Sequence, residues 1–97
     1  MKIAVTKIVL HFDESFSLKD KRKLKNSLID KVKVRFNVAI SEVDTMDDIK
    51  TLTLGVSVVS NSEHHSMKML NNVITFIEHM TPSSIIQVES DVIYFSD

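Results

Sequence analysis

From Lys2 to Phe12 the chain sets Ala4, Thr6, Ile8, Leu10 and Phe12 on one parity and Ile3, Val5, Lys7, Val9 and His11 on the other. A strand sends alternate side chains to opposite faces, so this pattern predicts a β-strand, and two largely apolar faces predict a central one. Asp13 to Phe16 reads as a short turn. Ser17-Leu18-Lys19-Asp20 then has the Ser-x-x-Asp form of a capping box, with Phe16 placed as the staple residue before the cap. Beyond Ser17 the apolar period changes. Leu18, Leu24, Leu28, Ile29, Val32 and Phe36 fall on one arc at ~100° per residue, which predicts a helix from Ser17 to about Arg35.

Asn37 to Val43 reads as a second strand with Val38 and Ile40 inward. Ile49 to Val59 reads as a third with Leu52, Leu54, Val56 and Val58 inward, and the acidic turn Asp44–Asp48 between them makes a hairpin. Ser60-Asn61-Ser62-Glu63 reads as a second capping box, opening a helix to about Met80 whose stripe is Met67, Leu70, Val73, Ile74 and Ile77. Thr81 and Pro82 stop it, and Ile85 to Phe95 is a last strand. The expected fold over residues 1–97 is therefore a single α+β domain, a ferredoxin-like β-α-β-β-α-β sandwich. Its antiparallel sheet runs in order 4-1-3-2 with two helices on one face. That arrangement is expected to gather the start of the first helix and the Asp44–Asp48 hairpin at one end. Lys33, Arg35, the Ser60–Glu63 cap and both termini would then meet at the other.

Charge changes the picture. The net charge is −1, but from Ser17 to Arg35 eight Lys or Arg stand against Asp20 and Asp30, a local +6. Elsewhere four basic residues stand against eleven acidic ones, −7. Lys19, Lys21, Arg22 and Lys23 crowd the first two turns of the predicted helix, where the macrodipole disfavours each cation by ~0.3–1 kcal/mol. Lys21 and Lys25 also fall within the arc that should be apolar, from which long stems can snorkel to water. Two readings account for the cluster. An anion at the amides after Ser17, or a polyanion along the helix, would offset the charge. Alternatively Asp44, Asp47 and Asp48 neutralise Lys19 or Lys23 within the monomer.

The candidate chemistry is otherwise thin. The chain has no cysteine, so disulfides, thiolate nucleophiles and cysteine-ligated zinc are excluded. His64 and His65 are adjacent and splay ~100° apart on a helix, and no metal site or cofactor is expected. Asp13 and Glu14 are neighbours in a turn, which is not acid–base geometry. Gly55 is the one glycine and lies mid-strand, so no glycine-rich phosphate loop can form. Met67 is expected in the core and Met69 half exposed. No segment reaches the ~20 apolar residues of a membrane span, and with no leader legible a cytoplasmic location is expected. The open sheet face would carry Lys7, Val9 and His11 beside Thr51, Thr53, Gly55 and Ser57, without the aromatics that an RNA-stacking sheet uses. Ile3, Val5, Val9 and Val59 on that face make it a candidate dimer surface.

Ser17-Leu18-Lys19-Asp20-Lys21-Arg22, Arg35-Phe36-Asn37-Val38 and Leu54-Gly55-Val56 leading to Val59-Ser60-Asn61 together resemble the YlxP-like family of small bacterial proteins, a domain-of-unknown-function family. The resemblance implies a ferredoxin-like sandwich and a genomic setting often beside translation-initiation and ribosome-maturation factors. It implies no catalytic residues. The sequence departs from the usual pattern at Lys25, where an apolar residue is common, and at Val9, where a charged one is. The leading expectation is a non-enzymatic binding protein that meets ribosomal or other structured RNA through Ser17, Lys19, Lys21, Arg22, Lys23 and Lys25. The alternative is a homodimeric regulatory or small-anion-binding module.

Overall fold

A computed structural model describes residues 1–12, 17–81 and 84–96. The turn and staple read at Asp13–Phe16 and the stop at Pro82 lie outside the described residues. The elements follow in the order β1 (Lys2–His11), α1 (Leu18–Arg35), β2 (Ala39–Glu42), β3 (Thr51–Ser60), α2 (Glu63–Met80) and β4 (Ser84–Tyr94). The strands form one antiparallel sheet in the order β2-β3-β1-β4, the expected 4-1-3-2 read from the other edge.

The inward parities are those of the sequence. Ala4, Ile8 and Leu10 of β1, Phe12 just beyond it, and Leu52, Leu54, Val56 and Val58 of β3 are all buried, and so is Ile40 of β2. Leu28 and Val32 of α1 and Leu70, Val73 and Ile77 of α2 close over them. Burying each such side chain stabilises the fold by ~1.5–3 kcal/mol, enough to dictate the register. Helix α2 lies over β1 and β3, and α1 lies over β2. Thr6 shares the inner face, and its hydroxyl donates to the Glu89 carbonyl while accepting from Ser90.

Three local expectations are corrected. Strand β2 is confined to Ala39–Glu42, shorter than the Asn37–Val43 read from the pattern. The cap of α2 is Ser62, whose hydroxyl accepts from His65 N, not Ser60. Ser60 is still in the ladder opposite Lys2, so it cannot also leave the sheet to start a helix; its hydroxyl accepts from Ser62 N instead. Arg35 does not join the end that holds the α2 cap. Its guanidinium lies 5.2 Å from the Phe76 ring, and Phe36 meets the same ring edge-on at 5.6 Å, so the last turn of α1 is pinned to the C-terminal half of α2.

Strand β4 is an edge strand, and Ile86, Val88, Ile93 and Tyr94 along it remain exposed. Its register against β1 slips between Val9 and Leu10, which pair with Gln87 and Ile85 and leave Ile86 unopposed. Irregularities of this kind are common at sheet edges, where they interrupt pairing with other chains.

Candidate nucleic-acid interface

Helix α1 begins as its sequence dictates. Ser17 Oγ accepts from Asp20 N at 3.1 Å and Asp20 Oδ2 accepts from Ser17 N at 3.3 Å, a closed capping box. That closure bears on the small-anion reading. The Asp20 carboxylate already sits at the helix mouth, where a bound anion would have to displace it. In this structure Ser17 is a helix cap.

Lys21 is the main departure from expectation. Its side chain is 1% exposed, and Nζ lies 2.5 Å from Thr45 O, 2.6 Å from Asp48 O and 2.9 Å from Glu42 Oε2. Two of the three ammonium protons go to hairpin carbonyls. The carboxylate faces the ammonium as an ion pair without an aligned hydrogen bond of its own. The stem does not snorkel outward, because the chain after β2 folds back over it. Asp44 takes a left-handed φ of 64°, Thr45 Oγ1 donates to Thr53 Oγ1 and accepts from Thr53 N, and Asp48 N donates to Thr45 O. The turn thereby aims two carbonyls at one point, and Lys21 fills it. A buried lysine so held cannot reach a phosphate, so Lys21 is removed from the candidate site.

The remaining cations sort by position on α1. Lys25, one turn beyond Lys21, is half-buried, whereas Lys19, Arg22 and Lys23 are exposed. At ~100° per residue these three, with Asn26 and Lys33, project away from the arc of Lys21, Leu28 and Val32. The acidic hairpin does not neutralise them. Asp44 lies 3.9 Å from Lys7, and Asp48 Oδ1 accepts from Lys50 N at 2.8 Å. That backbone N–H, with smaller help from Thr51 and the Lys21 ammonium, holds the Asp48 carboxyl below its usual range against a desolvation that opposes it. Among the described residues, no carboxylate lies within ion-pair distance of Lys19, Arg22 or Lys23.

Sequence reasoning missed two features. Glu42 was not singled out, although it lies two residues after inward-facing Ile40 and therefore on the core side of β2. Two opposite charges, each at a core-facing position, were the legible signal for the buried pair. The second is the cluster of Phe36, Phe76 and Arg35, which borders a shallow groove of about 550 Å³ also lined by Asn72, Thr75 and His79. His79 Nδ1 lies 2.8 Å from Thr75 O, which fixes the ring at the groove's edge.

The strand order, the antiparallel registers and the helical layer define a ferredoxin-like α+β fold. Solved structures agree. A de novo designed protein with ferredoxin fold, LFR1 1, superposes with a TM-score of 0.52 at 15% identity, covering 100% of this chain and 88% of that one. A second de novo design, Foldit4, gives a TM-score of 0.54 at 11% identity, covering 98% and 99%. The chain belongs to the family described as "Protein of unknown function (DUF503)", whose model matches residues 3–90. It is also 36% identical over 62 residues to the uncharacterized protein YlxP of Bacillus subtilis (strain 168), across 64% of this chain and 67% of that protein.

Proposed function

We propose that the chain is a non-enzymatic RNA-binding protein that docks structured RNA, of the ribosomal kind, through the outward face of α1. Lys19, Arg22 and Lys23 make the principal phosphate contacts, with Lys25 and Lys33 flanking them. The observation that carries this reading is the exposed cluster of Lys19, Arg22 and Lys23, which remains once Lys21 is buried and which has no carboxylate at ion-pair distance among the described residues. Cations left solvated at a helix N-terminus oppose the macrodipole, and a polyanion relieves that opposition. From Lys19 to Lys33 the face extends ~21 Å, a span that meets several successive phosphates of an RNA helix. Recognition of this kind follows shape and charge with little base readout.

The test is a salt titration of binding to a ribosomal RNA fragment. The triple variant Lys19→Glu, Arg22→Glu, Lys23→Glu is expected to weaken binding and to flatten the salt slope by about 2–3, at ~0.7–0.9 per phosphate contact. Lys68→Glu on α2 is expected to leave the slope unchanged. An unaltered affinity and slope in the triple variant would remove this surface as the site.

A further inference from the structure

We propose that the groove between the end of α1 and α2 receives an unpaired base of the RNA docked on α1, a site that rests on the RNA-binding reading. It adds one base contact to a recognition otherwise of shape and charge. A ridge of α1 leads there. Lys23, Ser27, Lys31 and Arg35 follow one another at intervals of four residues, and all are exposed. Each step turns ~40° about the axis, so the row winds from the solvated cluster toward α2 over ~18 Å. It ends where Arg35 meets Phe76, in the lining of the groove.

The lining has the chemistry of a base site. Phe76, met edge-on by Phe36, supports the Arg35 guanidinium from one side, and the exposure of Arg35 leaves the other side to solvent. Guanidinium planes stack on bases as aromatic rings do. Among the described residues this guanidinium has no carboxylate at ion-pair distance and no hydrogen-bond acceptor. The Asn72 amide, also without a partner among the described residues, offers both donor and acceptor. Thr75 Oγ1 donates to Asn71 O at 3.0 Å, so its lone pairs remain to accept. His79 Nδ1 lies 2.8 Å from Thr75 O; a carbonyl only accepts, so Nδ1 carries the hydrogen and Nε2 of the neutral ring is an acceptor.

That mixture selects the occupant. A nucleobase has donors and acceptors along one planar edge and a face that stacks. An acidic peptide would satisfy Arg35 but set its carboxylates against the acceptors of Thr75 and His79. Charge complementarity agrees, because Arg35 is the one fixed charge among the described residues of the lining and a phosphate accompanies every base. The adjoining shelf of Asp30, Lys31, Val34 and Met80 adds one charge of each sign, which leaves the balance with Arg35. Val34 on that shelf is 91% exposed. The groove's volume of about 550 Å³ lies within the ~300–1,000 Å³ of small-ligand sites.

Two RNA hairpins of about 16 base pairs test the site, one fully paired and one bulged by a single unpaired fluorescent adenine analogue. The full chain is expected to bind the bulged hairpin about tenfold more tightly, the scale of one stacked base, and to quench its fluorescence. Arg35→Lys keeps the charge but loses the plane, so it is expected to abolish most of that preference while leaving the salt slope unchanged. Asn72→Ala, at an exposed position, is expected to reduce the preference about threefold with the wild-type circular dichroism kept. Equal binding of both hairpins, with a salt slope that the Lys19, Arg22, Lys23 triple variant flattens, would overturn the base site and leave the RNA-binding reading standing. If neither hairpin binds, that reading falls and the base site with it. A preference that survives both substitutions also overturns the proposal. So does a polyglutamate peptide that displaces the bulged hairpin more strongly than the paired one, which would assign the groove to an acidic protein.

Discussion

The ammonium of Lys21 lies 2.9 Å from the carboxylate of Glu42, and the two side chains are 1% and 7% exposed. One belongs to the first helix and the other to the shortest strand. Their pairing, completed by the carbonyls of Thr45 and Asp48, ties α1 to the hairpin that precedes β3.

Breaking that pair from one side is costly. Lys21→Met leaves the Glu42 carboxylate buried and uncompensated, and is expected to destabilise the chain by ~3–5 kcal/mol in urea unfolding. Lys21→Met with Glu42→Leu removes both charges and is expected to recover most of that loss, because apolar replacement of a whole buried pair is often neutral or better. A double variant no more stable than Lys21→Met would show that the carbonyl contacts, not the ion pair, carry the stability.

The same double variant separates structure from binding. Because Lys21 is enclosed, its removal is expected to leave the salt slope of RNA binding unchanged, while the Lys19, Arg22, Lys23 triple variant flattens it. Loss of slope in a folded Lys21 variant would put the lysine on the binding surface.

Asp48 contributes pH dependence at the acid limb. Its folded-state carboxyl is held below the unfolded value of 3.8, first by the Lys50 N–H. The folded chain therefore binds this proton less readily, so the contribution is present above the unfolded value and is lost as pH falls through the lower folded one. In melting-temperature profiles, the advantage of the wild-type chain over Asp48→Asn is expected to narrow below about pH 3.8. A constant gap down to strong acid would count against this account.

Phe76 anchors the end of α1. Phe76→Ala removes the edge-on contact with Phe36 and the seat of the Arg35 guanidinium together. A loss of ~1–3 kcal/mol is expected, with faster amide exchange confined to the last turn of α1. Uniform exchange across both helices would instead indicate a global effect.

Gly55 is replaceable. It has no positive φ, and an added Cβ would meet Val43 Cγ1 at 3.4 Å, ordinary contact with a side chain. Gly55→Ala is expected to change stability by less than about 1 kcal/mol in either direction, the lost freedom of the unfolded chain offsetting any crowding. A larger loss would show that Val43 cannot yield.

Local physics made most of the fold legible. Alternation set the faces of β1 and β3, a single arc set the buried stripe of each helix, and Ser17 with Asp20 set where α1 begins. Each depends on residues within a turn or a few strand positions of one another, which sequence displays directly. The charge excess of α1 was equally plain as a count. What tertiary structure alone decided was the allocation of that charge. Lys21 and Lys25 looked alike in the pattern, both misplaced cations in an apolar arc, yet one is enclosed and the other half-buried. The difference arises 24 residues away, where a left-handed Asp44 turns the Thr45 and Asp48 carbonyls toward one point and Glu42 faces the same interior. Burying a charge requires several partners to converge at once, and convergence across distant segments belongs to the folded chain, not to its periodicity.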